Sequence, residues 1–209
     1  MRKRIKELER EISKLSKALA NSQAEMENLR LISDRDFLTG LYNRKGFIGE
    51  AGKFLTLMDA PFKKERRQFV IKNFSLIFID LDNLKQINDL YGHKAGDKFL
   101  KATADIFKSC LRDMDIAARW GGDEFVIGLL NVDEKSACKI ANKIKRMMLK
   151  IKITGVSSKV RYGASFGVIS AKSKKHKLIS NLYELIEKAD NTMYKAKKTK
   201  GKSFIAVFC

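Results

Sequence analysis

The sequence predicts an α/β sandwich, with a central mixed sheet flanked by helices and a long coiled-coil helix in front of it. Three observations carry this reading. Along residues 34–209, stretches with strand spacing alternate with stretches of helical spacing, the order of a layered α/β unit. Residues 75–80 are nearly all apolar, as a central strand buried on both faces must be. The glycine pair Gly121-Gly122 separates two strand-like runs, 115–120 and 125–130, and reads as the turn of an antiparallel hairpin.

The elements follow in order. From Ile5 the apolar residues fall at Ile5, Leu8, Ile12, Leu15, Leu19, Met26 and Leu29, alternating by three and four with only Ser22 out of place. Ile at a and Leu at d favour a parallel two-stranded coil, and the stripe is too narrow for a helix lying on a domain. We therefore place a dimerisation helix over residues 1–33 and a globular domain over 34–209. Residues 36–44 are rich in turn formers and form the junction, followed by a helix over about 45–58. Pro61 ends it, and 63–67 make a charged loop. After the buried strand, Asp82 is a natural N-cap for a helix over 83–91, and a longer helix runs over about 94–112 with Asp97 in its first turn. His93 reads as a turn residue. Beyond the hairpin, 134–150 is helical, 160–171 a strand, 181–198 a helix and 203–208 a final strand.

Composition excludes several classes. No apolar run approaches the roughly 18 to 20 residues of a membrane-spanning helix, and the basic start lacks the apolar core of a signal peptide. Cys110, Cys138 and Cys209 are odd in number and widely spaced, which indicates neither a disulfide framework nor a zinc site and fits a reducing cytoplasm. The formal net charge of +19 comes from lysines scattered over helices, not from a stripe interleaved with aromatics. No nucleic-acid partner is expected, although the charge favours approach of a polyanionic small molecule.

The candidate site lies where acids stand without structural cause. Asp80 ends the apolar strand, and a charge there is costly unless something positive lies nearby. Asp123 and Glu124 leave the glycine turn; adjacent strand residues face opposite ways, so one is expected to bind metal and the other to act differently. Asp80, Asp123 and Glu124 can converge on one sheet edge, and hard oxygen ligands select Mg²⁺ or Mn²⁺, completed by substrate phosphates. The backbone N–H groups of Asn83, Leu84 and Lys85 open a helix beside them and form an anion site, with the Lys85 charge added. A nucleoside triphosphate fits this description.

Together, the segment 36–44, the run Asp80-Leu81-Asp82-Asn83-Leu84-Lys85-Gln86-Ile87-Asn88-Asp89 with Tyr91-Gly92-His93 and Gly96-Asp97, and the signature Gly121-Gly122-Asp123-Glu124-Phe125 resemble the GGDEF-domain diguanylate cyclases over about 34–208. The family condenses two GTP into cyclic di-GMP on a palm-type, nucleotidyl-cyclase-like sandwich. The resemblance implies that Asp80, the Leu81 carbonyl and Asp123 hold two Mg²⁺ or Mn²⁺ ions per site, with Glu124 near the second ion or the attacking hydroxyl. Asn88 and Asp97 would read guanine, Lys85 and Lys197 would meet the phosphates, and Gly122 would pack against the ribose. Ring closure needs two domains face to face, so the coil would serve a homodimer, and a sensor domain upstream of it, outside this chain, is compatible with that architecture.

Arg112-Asp113-Met114-Asp115 stands five residues before Gly121 and resembles the family's R-x-x-D site, where product binds and inhibits. An Arg fork can meet guanine O6 and N7 while a carboxylate accepts from N1 and N2. Three features depart from the family pattern: Leu84 replaces the usual Phe, the C-terminal motif has an extra residue with Lys202 at its Arg position, and the stretch 47–74 is long. Rival readings are a degenerate module that binds GTP or cyclic di-GMP without turnover, a cyclase accepting ATP for one half, and a coiled-coil scaffold. The retained Asp80, Asp97, Asp123 and Glu124 argue against all three.

Overall fold

The computed structural model describes residues 2–59, 72–157, 160, 162–172, 182–199 and 205–208. Pro61, the loop 63–67, Asn181, Lys202, Ser203 and Cys209 lie outside the described residues. Twelve elements follow in chain order: α1 (Arg2–Ser33), β1 (Tyr42–Asn43), α2 (Arg44–Asp59), β2 (Asn73–Asp82), α3 (Leu84–Tyr91), α4 (His93–Cys110), β3 (Ile116–Arg119), β4 (Glu124–Leu130), α5 (Glu134–Met148), β5 (Gly163–Lys172), α6 (Leu182–Thr199) and β6 (Ile205–Phe208). The strands form one mixed sheet in the order β1-β3-β4-β2-β5-β6.

β2 sits at the centre, antiparallel to both β4 and β5, and its interior residues are buried throughout. Alternation along the strand sends Ile77, Ile79 and Leu81 to one face, where Phe99 and Phe107 of α4 and Ile144 of α5 cover them. Leu76 and Phe78 go to the other face, against Phe47 of α2 and Leu185, Ala189 and Met193 of α6. Phe125 closes the hairpin into the first core, fully buried and edge-on to Phe107 with ring centroids 5.3 Å apart. The last residue of the signature therefore serves packing.

Four details differ from the sequence reading. β2 keeps pairing as far as Asp82, opposite Gly163, so the bend into α3 falls one residue later. Asn83, not Asp82, is the N-cap, at φ 63, a left-handed conformation that Asn tolerates better than most residues. α4 starts at His93, which leaves Asp97 beyond its first turn, where the helix dipole offers little reason for an acid. Cys138 is disulfide-bonded while Cys110 is free, because the fold and not the spacing decides which thiols meet.

The apolar stripe of α1 stays exposed: Ile5, Leu8, Ile12, Leu15, Leu19 and Met26 each leave about half or more of their surface open. This helix does not bury its seam on the domain. No helix among the described residues is long and apolar enough to cross a membrane.

Candidate active site

Strand register brings the first two acids together. Asp80 in β2 is the direct partner of Glu124 in β4, so the two side chains stand on one face with Cβ atoms about 4.5 to 5.5 Å apart. Like charges directly opposite repel. Asp80 is 8% exposed, and Lys197 of α6 sits on it, Nζ to Oδ1 at 2.7 Å. Lys197 reaches this far because α6 lies with its backbone on β5: a Cβ at Gly167 would collide with the Ala189 carbonyl and the Met193 backbone. Met193 is one turn before Lys197.

The signature turn is tied down on both sides. Trp120 and Gly121 donate their N–H groups to the Glu124 carbonyl, at 2.8 and 3.3 Å. The Leu81 N–H donates to the Asp123 carbonyl at 2.9 Å, which carries the β2–β4 ladder one step past the acid pair and pins Asp123 beside Asp80. Asp123 itself precedes β4. Gly121 leaves room for a carboxylate, since Glu124 Oε2 lies 2.6 Å from where its Cβ would stand. Nothing lies within 4 Å of a Cβ at the exposed Gly122, an open face on which a ligand can pack. The Arg119 guanidinium donates to the Gly122 carbonyl from Nη2 and Nε, at 2.8 and 3.3 Å, and pairs with Asp36 at 3.4 Å. Asp36 also accepts from the Thr39 N–H and hydroxyl. Arg44 stacks on Trp120 at 4.6 Å, so the junction segment 36–44 packs directly on the hairpin.

Sequence reasoning missed Asp190. It stands on α6 seven residues, two turns, before Lys197, and that spacing was the available signal. Burial first, then the charges of Asp80, Asp123 and Asp190, push the Glu124 carboxyl above its ordinary value, against the opposing pull of Lys197. Burial and then Asp80 push Asp190 upward too. Four carboxylates thus share one region with one amine. Among the described residues, no three acids close into a metal-holding group. Asp80 is paired with Lys197, and the excess of negative charge makes the donor set chemically suited to divalent cations.

The expected guanine readers lie across the bend from α3 to α4. Asn88 Oδ1 is buried without a hydrogen-bond partner and points at Gly96, whose missing Cβ would overlap it. Asp97 is the next residue, exposed. The N-cap Asn83 makes no side-chain capping bond at the start of α3, where Leu84 and the exposed Lys85 follow it.

At the R-x-x-D sequence, the Asp115 carboxylate accepts from two backbone N–H groups, Arg112 at 3.1 Å and Leu130 at 3.2 Å. It staples the loop to β4. Arg112 is exposed.

Three comparisons bear on this arrangement. Residues 33–203 match the family described as diguanylate cyclase, GGDEF domain. The chain is 35% identical over 173 residues to diguanylate cyclase DgcM of Escherichia coli K12, covering 82% of this chain and 38% of the relative. It is 33% identical over 190 residues to diguanylate cyclase VdcA of Vibrio cholerae, covering 90% and 49%. The chain thus spans between about a third and a half of these relatives' lengths. The fold is similar to the crystal structure of the coiled coil and GGDEF domain of DgcB from Caulobacter crescentus in complex with c-di-GMP, with TM-score 0.72, 20% identity, and coverage of 96% of this chain and 98% of that one.

The crowding at Glu124 has a pH signature. Its folded-state pKa lies above the unfolded value near 4.5, so stability is fully present below that pH and is lost as the pH rises through the folded pKa. Glu124→Gln, uncharged throughout, should raise the melting temperature of the cation-free protein at pH 7 by roughly 1 to 3 °C and leave it nearly unchanged at pH 4. Identical melting curves at pH 7 would contradict the crowding.

Proposed function

The chain belongs to the GGDEF-domain family of diguanylate cyclases, and from that premise we propose that it condenses two GTP into cyclic di-GMP and two pyrophosphates. The observation that carries the proposal is the cross-strand pair of Asp80 and Glu124, with Asp123 pinned beside it at the mouth of an open glycine turn. A receptor that only binds nucleotide has no use for such an assembly of repelling charges.

Bound Mg²⁺ or Mn²⁺, two per site, would lower the pKa of a ribose 3′-hydroxyl and steady the triphosphate as pyrophosphate leaves. Asp80, the Leu81 carbonyl and Asp123 are the groups to hold them. Glu124, whose carboxyl burial and its acidic neighbours bias toward protonation, would stand close to the second ion or the attacking hydroxyl and, in the latter place, help to move its proton. Asn88, whose Oδ1 has no partner, and Asp97 receive guanine, and Lys85 and Lys197 meet the phosphates. The hydroxyl attacks the α-phosphate of a GTP on a second domain, one P–O bond forms as another breaks, and the same step in the opposite sense closes the ring.

Two domains must therefore face each other, and we assign that task to a parallel coil of α1, residues 1–33, in a homodimer. Its exposed stripe supports this. Tethering raises the effective concentration of the second half-site to the order of millimolar. Purified protein with GTP and Mg²⁺ should yield cyclic di-GMP by chromatography, and Asp123→Ala should yield none. Residues 34–209 alone should be active only at high protein concentration. GTP left intact by the full-length chain at all concentrations would favour the binding-module reading.

Product inhibition at Arg112 and Asp115 belongs to the same proposal; the related Caulobacter structure is itself a complex with c-di-GMP. Asp115 already braces the loop, so its substitution mixes binding with stability. Arg112→Ala is the clean variant: calorimetric titration should show cyclic di-GMP affinity falling roughly tenfold to hundredfold, with initial rates near those of the parent. Unchanged affinity would reduce Arg112 to a surface residue.

A further inference from the structure

The row that holds Glu124 and Asp80 has a third member. Asp80 is paired on its other side with Ser165 of β5, which therefore stands on the same face. Ser165 is fully buried, and its hydroxyl has no hydrogen-bond partner. Among the described residues the other fully buried serine, Ser75, donates to the Val132 carbonyl at 2.6 Å, so a satisfied hydroxyl is attainable in this sheet. A buried O–H group without a partner needs an explanation, and beside an acid of the candidate site a partner that comes with the loaded state supplies one.

Strand register points to the acceptor. Across β5 from Asp80, the partner of Ser165 is Ala206 of β6, which brings no polar side chain. Two residues along on the same face is Gly167, where the α6 backbone closes over the strand. Lys197 carries only donors. Glu124 and Asp190 lie in the same region, but the acceptor that strand register sets directly opposite Ser165 is the Asp80 carboxylate, about 5 Å away from Cβ to Cβ as cross-strand partners are. Its Oδ1 holds Lys197 at 2.7 Å, and two oxygens offer about four lone-pair sites in all.

We propose that Ser165 is a positioning residue for Asp80. When Lys197 leaves Asp80 for the triphosphate, the Ser165 hydroxyl donates to the carboxylate, fixes its rotamer and turns its other oxygen toward the cation. The proposal rests on the metal-site reading of Asp80. It predicts an asymmetry: the hydroxyl contributes nothing to the resting fold and contributes to cation binding.

The test is Mn²⁺ binding, followed by electron paramagnetic resonance with a non-hydrolysable GTP analogue present, on the full chain and on Ser165→Ala, Ser165→Thr and Asp80→Asn. Ser165→Ala should melt no lower than the parent without cation, yet bind Mn²⁺ roughly tenfold more weakly, as loss of a ligand's hydrogen-bond partner does. Ser165→Thr, which keeps the hydroxyl, should bind more tightly than Ser165→Ala. If Asp80→Asn loses Mn²⁺ binding and Ser165→Ala keeps the parent affinity, the role given to Ser165 is wrong while the metal site stands. A lower cation-free melting temperature in Ser165→Ala overturns it as well, since the hydroxyl would then be serving the resting fold. If Asp80→Asn binds Mn²⁺ like the parent, the metal-site reading itself fails.

Discussion

Two carboxylates face each other across adjacent antiparallel strands, and the rest of the structure is arranged around keeping them there. Asp80 and Glu124 occupy partnered positions at the end of the most buried strand, where their repulsion is least screened. Every neighbouring peculiarity answers to this pair. Gly121 clears space for the Glu124 carboxylate, the Leu81 N–H anchors the Asp123 carbonyl, and Gly167 lets α6 settle low enough for Lys197 to reach Asp80. Remove the pair and none of these choices has a reason.

The pair is also connected to the far end of the chain. Arg119 grips the Gly122 carbonyl with one side of its guanidinium and Asp36 with the other, and both side chains are more than four-fifths buried. Asp36 begins the segment that follows α1, and Arg44, which ends it, covers Trp120. The turn carrying Asp123 therefore rests on the residues that connect it to α1. In the proposed homodimer, this contact would connect the coil of α1 to the turn that carries Asp123.

Much of this was legible in the sequence because it is local. The apolar run of β2, the glycine-bent hairpin, the helix periods and the heptad of α1 each follow from spacing within a few residues. The acids were found because they stood where burial gave them no local cause. What escaped depends on register between distant strands and helices. The spacing of Asp190 and Lys197 puts them on one face of α6, but only the seat of α6 on β5 brings that face over Asp80, just as only strand register sets Ser165 opposite it, 85 to 117 positions away. The N-cap of α3 was misplaced by one residue because strand pairing with β5 extends β2 to Asp82, a tertiary effect that overrides capping preference. Asp115, read as a product ligand, also proved to be a backbone brace, since its acceptors reach Leu130, fifteen residues on.

The claim at the centre is that Lys197 holds the place of a cation at Asp80 until the nucleotide and its metal arrive. Thermal and chemical unfolding of Lys197→Met, with and without Mg²⁺ and a non-hydrolysable GTP analogue, tests it most directly. Lys197 is 45% exposed, so its loss without cation should cost about 1 to 2 kcal/mol, less than breaking a fully buried pair. Adding Mg²⁺ and the analogue should narrow that gap, because the cation takes over at Asp80, while the lost Lys197–phosphate contact keeps the loaded variant somewhat below the equally loaded parent. A variant as stable as the parent in the absence of cation, or a gap that Mg²⁺ and nucleotide leave as wide as before, would contradict the account.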